Sequence, residues 1–355
     1  MINDAKYYPL RLRAIAKEKV WGGRNLERLL GKDLAPGALI GETWEAWDGC
    51  QIENGAHRGA TLGQLVEFDA PAILGFAAPH HRLPLLFKFI DAQDDLSVQV
   101  HPSDAQAQHI ENYPYGKTEA WYILHAEPGA TLIHGFKEPV DPARVRDYLE
   151  QNRLQDLLAQ VPVRAGDVVF VPAGTVHAIR RGIVLAEIQE NSDITYRLYD
   201  WGRVDNTRPL HINQSLQVSN FVPSSSHTIA PLTIHHPEFE QHVLVACQYF
   251  AFERLDVYAT IRNLSTRHRF QILSIIQGAA RINGVDAPLG QTLLIPAQLD
   301  TFDIVPLTPC QILRAYIPDL QRDVIEPLIR VGHRPTEIAR LGGDLSSTNA
   351  LLPWL

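Results

Sequence analysis

Short apolar runs dominate the chain. Leu85–Ile90 (LLFKFI), Leu96–His101 (LSVQVH), Glu119–His125 (EAWYILH), Asp167–Pro172 (DVVFVP), Ile183–Gln189 (IVLAEIQ) and Thr195–Tyr199 (TYRLY) are strand length and rich in β-branched or aromatic residues. Gly, Pro or Asp stands near most of their ends, as strand boundaries require. The short spacing predicts an antiparallel sandwich or barrel and argues against alternating β and α units. A helical period is found at 142–160, PARVRDYLEQNRLQDLLAQ, where Val145, Tyr148, Leu149, Leu154, Leu157 and Leu158 recur mostly at three- and four-residue steps. Asp141 before Pro142 supplies an N-cap followed by proline at the first helical position. Thr61–Phe68, TLGQLVEF, reads as a second helix.

The second half of the chain repeats the first. GDVVFVP at 166–172 matches GQTLLIP at 290–296, with proline six residues after glycine in both, and WYIL at 121–124 resembles LSII at 273–276. The expectation is an all-β protein of two related sandwich domains. The first spans 1–235 and carries a helical insertion at about 138–160; the second spans 236–320. The polar, proline-containing stretch 220–234 reads as the connector. A tail, 321–355, follows; it either docks through Leu351, Leu352, Trp354 and Leu355 or is partly loose.

Composition narrows the function. The 355 residues include 32 basic and 40 acidic ones, a net charge of −8, which leaves no electrostatic footprint for nucleic acid. No run approaches the length of a transmembrane helix. The first residues, MINDAKYYPLRLRAIAKEKVW, lack the apolar core of a signal peptide. Three scattered cysteines, Cys50, Cys247 and Cys310, fit free thiols in a reducing cytoplasm.

Three polar segments carry candidate chemistry. On a strand, alternate residues share a face, so Ser97, Gln99 and His101 point one way while Val98 and Val100 point the other. Lys117, Glu119 and Trp121 share a face by the same rule. A turn rich in Gly and Pro delivers His177 to the next strand. Singly, each segment is explained by a solvated surface or a satisfied histidine. Together, Gln99, His101, Glu119 and His177 offer two imidazole nitrogens and two oxygens. That is the donor set of a catalytic zinc site, though other divalent transition metals accept it too. Aligning Gly166 with Gly290 places Thr301 opposite His177 and Gln271 near Glu119, so one metal site is expected, in the first half only. Arg197, inside the aromatic run TYRLY, is suited to holding a carboxylate, phosphate or oxyanion.

The motifs SVQVHP, GKTEAWYIL, PAGTVHAI, GIVLAEIQENSDITYRLYDWGR and RPLHINQSLQVSNF together resemble the class I mannose-6-phosphate isomerases of the shorter bacterial type. The likeness covers about residues 7–318 and does not extend to the tail. It implies two cupin domains, the second without a metal site, and zinc held by Gln99, His101, Glu119 and His177. It further implies Arg197 as catalytic residue, Lys117 beside the metal and Trp21 as a pocket aromatic. Lys88, Ser97 and Arg203 match positions at the phosphate end of the sugar. The implied reaction interconverts D-mannose 6-phosphate and D-fructose 6-phosphate through an enediol. Lys117, Glu187 and a water on the metal remain candidates for the base. An isomerase of another sugar phosphate, or a metal-containing cupin that only binds sugar, are the alternative readings.

Overall fold

The computed structural model describes residues 7–203, 209–346 and 348–355. Its segments form four antiparallel sheets stacked into two pairs. Strand accounts for 38% of residues and helix for 22%, so the molecule is mostly sheet, with more helix than the insertion and the helix after Thr61 that the sequence predicts.

The first pair sets a six-stranded sheet against a five-stranded one. The six-stranded sheet is ordered Val168–Val171, Glu119–Ala126, Ile183–Glu190, Leu85–Ala92, Ile40–Ala46 and Ile15–Gly23. The five-stranded sheet is ordered Tyr196–Tyr199, Val98–Val100, His177–Ile179, Thr131–Phe136 and Leu158–Pro162. Between them, Trp21, Ile90, Trp121, Ile123, Leu132, Val169, Ile179 and Leu185 form one buried cluster. On the back of the five-stranded sheet, Val98, Val100, Ile133, Ala178 and Leu198 pack with Val145 and Leu216 of two covering helices, Pro142–Glu150 and Ile212–Val218.

The second pair is an eight-stranded sheet with a four-stranded one, around Leu255, Leu273, Ile275, Leu293, Phe302 and Ile304. The back of the six-stranded sheet (Phe87, Phe89, Ala186, Ile188) meets Val243, Phe252, Leu294 and Leu313 of the eight-stranded sheet in the largest core. The first strand of the chain joins that sheet. Leu10–Arg13 lies between Thr292–Ile295 and Gln51–Ile52, with Leu10 opposite Leu294 and Leu12 opposite Ile52.

The internal repeat has a structural counterpart. Glu119 pairs with Val171 and Trp121 with Val169; Gln271 pairs with Ile295 and Leu273 with Leu293. Gly166 donates its N–H to the carbonyl of Ile123 and Gly290 to that of Ile275, both at 2.8 Å and both at positive φ, a conformation glycine adopts without steric cost.

Two helix boundaries differ from the sequence reading. The helix beginning at Pro142 is capped by the Asp141 carboxylate as expected, but ends at Glu150. Asn152 then takes a left-handed conformation, φ 55°, and Leu158–Pro162 becomes an edge strand with Val161 opposite Leu132. The helix after Thr61 has a full capping box and runs to Leu74, with a kink at Asp69. The Asp69 side chain accepts from the Ala72 N–H and so recaps the second segment. The tail docks on the body, though not through its last residues. Val324, Ile325, Leu328, Ile338, Leu341 and Leu351 enter the large core, whereas Leu352, Trp354 and Leu355 stay exposed. Among the described residues, no helix is long and apolar enough to cross a membrane.

Candidate active site

Strand register assembles the site row by row. In the five-stranded sheet Gln99 pairs with His177 on one side and Arg197 on the other, and His177 pairs with His134. Directly opposed residues of antiparallel strands project from the same face, so Arg197, Gln99, His177 and His134 form one inward row. Across the gap, Trp44, Lys88, Glu187 and Trp121 form a second row, and Glu119 lies two residues further along the strand of Trp121. On these same faces Ile179, Leu132, Ile123, Leu185 and Ile90 are apolar two residues away. The site is thus the polar continuation of a sandwich core, and one register governs both.

Three ligand-type side chains converge there. His101, Glu119 and His177 each bring a donor atom within 4.8 Å of the others, and all are buried. His177 Nε2 lies 3.3 Å from Glu119 Oε1, and His101 Nε2 lies 3.5 Å from Glu119 Oε2. Gln99 places its amide 3.3 Å from His177 Nε2. The outer ring nitrogens are committed: His101 Nδ1 faces the carbonyl of Ile194 at 3.0 Å and His177 Nδ1 that of Thr175 at 2.8 Å. A carbonyl only accepts, so each Nδ1 bears the hydrogen and each Nε2 presents a lone pair inward. Glu119 Oε1 is buried without a hydrogen-bond partner. A lone pair of imidazole therefore faces a lone pair of carboxylate at 3.3 Å, an arrangement that fits a divalent cation between them.

The titration behaviour has the same origin. Burial holds the His177 ring down at about 3, and the His101 ring well below its ordinary value, with the nearby Lys117 adding to the effect. Both imidazoles are neutral, the form that binds metals. Burial, with the neighbouring Glu187 charge, pushes Glu119 up to about 7. Lys117 Nζ stands 2.8 Å from Glu119 Oε2 and 3.1 Å from His101 Nε2.

The other expected residues divide. Lys88 Nζ pairs with Glu187 Oε1 at 3.1 Å, and Trp121 Nε1 donates to Glu187 Oε2 at 3.0 Å. Burial opposes ionisation of Glu187, but Lys88 and Lys117 outweigh it and hold the carboxyl below its ordinary range. Arg197 Nε donates to Ser97 Oγ at 3.1 Å, and its Nη1 to the carbonyl of Pro209 at 3.0 Å, so it bridges the row and the rim. Trp21 is 4% exposed and packs in the cluster with Trp121. Arg203 is not brought into this row. Its guanidinium pairs with Asp94 and Asp200 and donates to the carbonyl of Asp95 at 2.7 Å.

Two participants were missed in the sequence. Glu42 accepts from Trp44 Nε1 at 2.8 Å and pairs with Lys19 at 3.3 Å; burial opposes its ionisation, but Lys88 and Lys19 hold the carboxyl low. Its signal was the alternation of Glu42 and Trp44 in IGETWEA. His134 ends the histidine row, but nothing local in IHGF distinguishes it.

A second meeting of ligand-type side chains, Glu240, His242 and Asp256, lies in the C-terminal half. There Arg254 grips both oxygens of Asp256 at 2.8 Å and neutralises it, so that group is an ion-pair network.

The family profile "Phosphomannose isomerase type I, catalytic domain" matches residues 10–133. The chain is 35% identical over 316 residues to the mannose-6-phosphate isomerase ManA of Bacillus subtilis, covering 85% of this chain and 97% of that one. It is also 35% identical over 281 residues to the mannose-6-phosphate isomerase of Streptococcus mutans, covering 77% and 86%. The crystal structure of the mannose 6-phosphate isomerase of B. subtilis superimposes with a TM-score of 0.79 at 30% identity, over 87% of this chain and 99% of that one. A variant of phosphomannose isomerase from Salmonella typhimurium, 18% identical, shares the fold with a TM-score of 0.72 over 87% and 99%.

Proposed function

The chain belongs to the type I phosphomannose isomerases, and from that premise we propose that it interconverts D-mannose 6-phosphate and D-fructose 6-phosphate at the cleft between its first two sheets, with zinc held by Gln99, His101, Glu119 and His177. Its enzymatic class is that of the mannose-6-phosphate isomerases. The observation that carries the site is the unpartnered Glu119 oxygen facing the Nε2 lone pair of His177. We read the paired sheets as two cupin-type sandwiches divided near residue 235, the second lacking the ligand set. At the positions equivalent to Glu119 and His177 it carries Gln271 and Thr301.

The chemistry is a proton shift between C1 and C2 of the sugar through an enediol. The barrier lies in removing a proton beside a carbonyl at neutral pH. A bound divalent cation supplies Lewis acidity that stabilises negative charge on the sugar oxygens. The chain's own groups do the rest. Arg197, anchored by Ser97 and the Pro209 carbonyl, brings a permanent positive charge to the edge of the row, where an oxyanion develops. Lys117 and Glu187 flank the reacting carbons. Glu187 is held ionised by Lys88 and Lys117, the form that can accept a proton, and Lys117 stands against Glu119 and His101, so these two are the chain's candidates to carry it. Lys88 and Ser97 face the same gap and suit the phosphate end. The engagement of Arg203 with Asp94 and Asp200 leaves it a supporting place at the rim.

The test is a coupled assay for mannose 6-phosphate conversion before and after chelation, with metal analysis on the same sample. His101→Ala and His177→Ala are expected to lose bound metal and at least about 100-fold in rate together. Isomerase activity retained by metal-free His177→Ala would refute the site, and turnover confined to another aldose phosphate would refute the substrate.

A further inference from the structure

The side chains proposed to hold the cation arrive on separate segments, and two of those segments are stitched together just outside the cleft. His101 precedes the helix Asp104–Glu111; Glu119 opens the strand Glu119–Ala126, and Lys117 lies two residues before it. The Lys117 N–H donates to the carbonyl of Pro102 at 2.9 Å, and the Gly116 N–H donates to Asp104 Oδ1 at 2.6 Å. A Cβ on Gly116 would stand 2.5 Å from the carbonyl carbon of Ser103 and 2.6 Å from the nitrogen of Asp104, so only glycine allows this approach. From a third side comes Glu190, at the end of Ile183–Glu190 and 4% exposed. Its Oε2 accepts the Thr118 N–H at 2.8 Å, and its own N–H donates to the Thr118 carbonyl at 3.2 Å. Its side chain also hydrogen-bonds the Asp104 carboxyl.

Two carboxyl groups share a hydrogen bond only when one of them carries a proton. Asp104 accepts on both oxygens, from Gly116 at Oδ1 and from the Tyr249 hydroxyl at Oδ2, 3.3 Å away. Glu190 is the more deeply buried of the two, and it is the one held as the acid. We propose that Glu190 is a positioning residue: as a neutral acid donating to Asp104, it closes a clamp that fixes the segment of Lys117 and Glu119 against the segment of His101. The proposal rests on the active-site reading above. Tyr249 belongs to the second sandwich, on the turn between Phe239–Ala246 and Ala251–Val257, so that half of the molecule helps hold the clamp.

The surroundings favour the acid form. Burial, then the Asp104 charge, pushes Glu190 up to about 9. The titratable groups facing it are Asp104 on the helix and Tyr249 and Cys247 on the turn. Burial raises both of the latter, Cys247 to about 12, so they are neutral at pH 7. Among the described residues, no ion pair includes Glu190.

The test compares native protein with E190Q and E190A. The amide of E190Q reproduces both hydrogen bonds without a proton to lose. Infrared difference spectra of chelator-treated native protein should show a protonated carboxyl band at pH 7 that bleaches as pH rises through about 9 and is absent from E190Q. A carboxyl that binds its proton more tightly when folded loses stability as pH climbs from the ordinary carboxyl range to its folded value. The thermal midpoint of native protein should therefore fall relative to E190Q across that window, and the ratio of E190Q to native turnover should rise with pH. E190A should release metal roughly 10- to 100-fold more readily, the effect typical of losing an outer-shell partner, with kcat reduced more than KM changes. Native protein and E190Q with the same midpoints across the window, and no carboxyl band distinguishing them, would overturn the proposal. The band and the midpoints are read without metal or sugar, so they stand or fall independently of the isomerase reading.

Discussion

At the scale of single residues, the site is a set of buried polar groups whose hydrogen bonds leave a defined remainder. Backbone carbonyls take the outer nitrogens of His101 and His177, and what is left over points inward. Arg197 lies at the edge of the row, with its Nε on Ser97 Oγ and its Nη1 on the Pro209 carbonyl. Arg197→Ala is expected to lower kcat by roughly 100- to 1000-fold with little change in KM; a change in KM alone would make it a binding residue. His134 makes a separate prediction. Burial holds its ring at about 4 against the ordinary 6.5, while its Nε2 donates to the Phe170 carbonyl at 3.0 Å. The unfolded chain takes up that proton first, so the contribution is complete above the ordinary value and is lost as pH falls to the folded one. The difference is worth roughly 3 kcal/mol. Urea unfolding of native protein and His134→Gln at about pH 7 and about pH 4.5 should show native protein losing more stability in acid. That Gln99, His101, Glu119 and His177 come together was legible in the sequence, because Gln99 is the polar residue of an alternating strand, His101 follows that strand, and Glu119 and His177 each begin one. Glu190 and Asp104 were not, since their partners lie on other segments, and only pairing reveals them.

Among the elements, period-2 alternation was a good guide to strands. It separated Val98 and Val100, which pack under the helices, from Gln99, which faces the cleft. Helical period was a poorer guide at 151–162, where apolar spacing continued past the real end of the helix. The left-handed Asn152 breaks the helix, and pairing with Thr131–Phe136 then takes Leu158 and Val161 into a sheet. Tertiary pairing overrides local preference there. The cap at Asp141 lies on the covering helix, outside the cleft, and its carboxylate accepts the Arg144 N–H. Asp141→Ala should cost about 1 kcal/mol in urea unfolding and leave kcat unchanged.

For the whole molecule, two sandwiches share one large core, and the tail is part of it. Val324, Ile325, Leu328, Ile338, Leu341 and Leu351 are all buried there, each contributing about 1.5–3 kcal/mol as an upper bound. The tail also reaches the connector: Asp344 accepts from the Ser224 hydroxyl at 3.0 Å and from the backbone N–H groups of Ser225 and Ser226 at 3.0 Å. Truncation before Asp319 should therefore lower the thermal midpoint sharply or leave the chain insoluble. A truncated chain that melts with the native midpoint would show the tail to be an appendage. Sequence reasoning left the tail open because its apolar residues follow no strand period and lie outside the repeat.

The strand Leu10–Arg13 carries a consequence for biosynthesis. Arg11 is hydrogen-bonded to Gln291, 280 residues later in the chain. At about 5–20 residues per second on the ribosome, the first strand to emerge waits roughly a quarter of a minute to a minute for its partner. Throughout that interval the nascent chain has an unfilled sheet edge, the kind of surface that recruits a stranger's strand. Chaperones would meet the nascent chain with that edge still open.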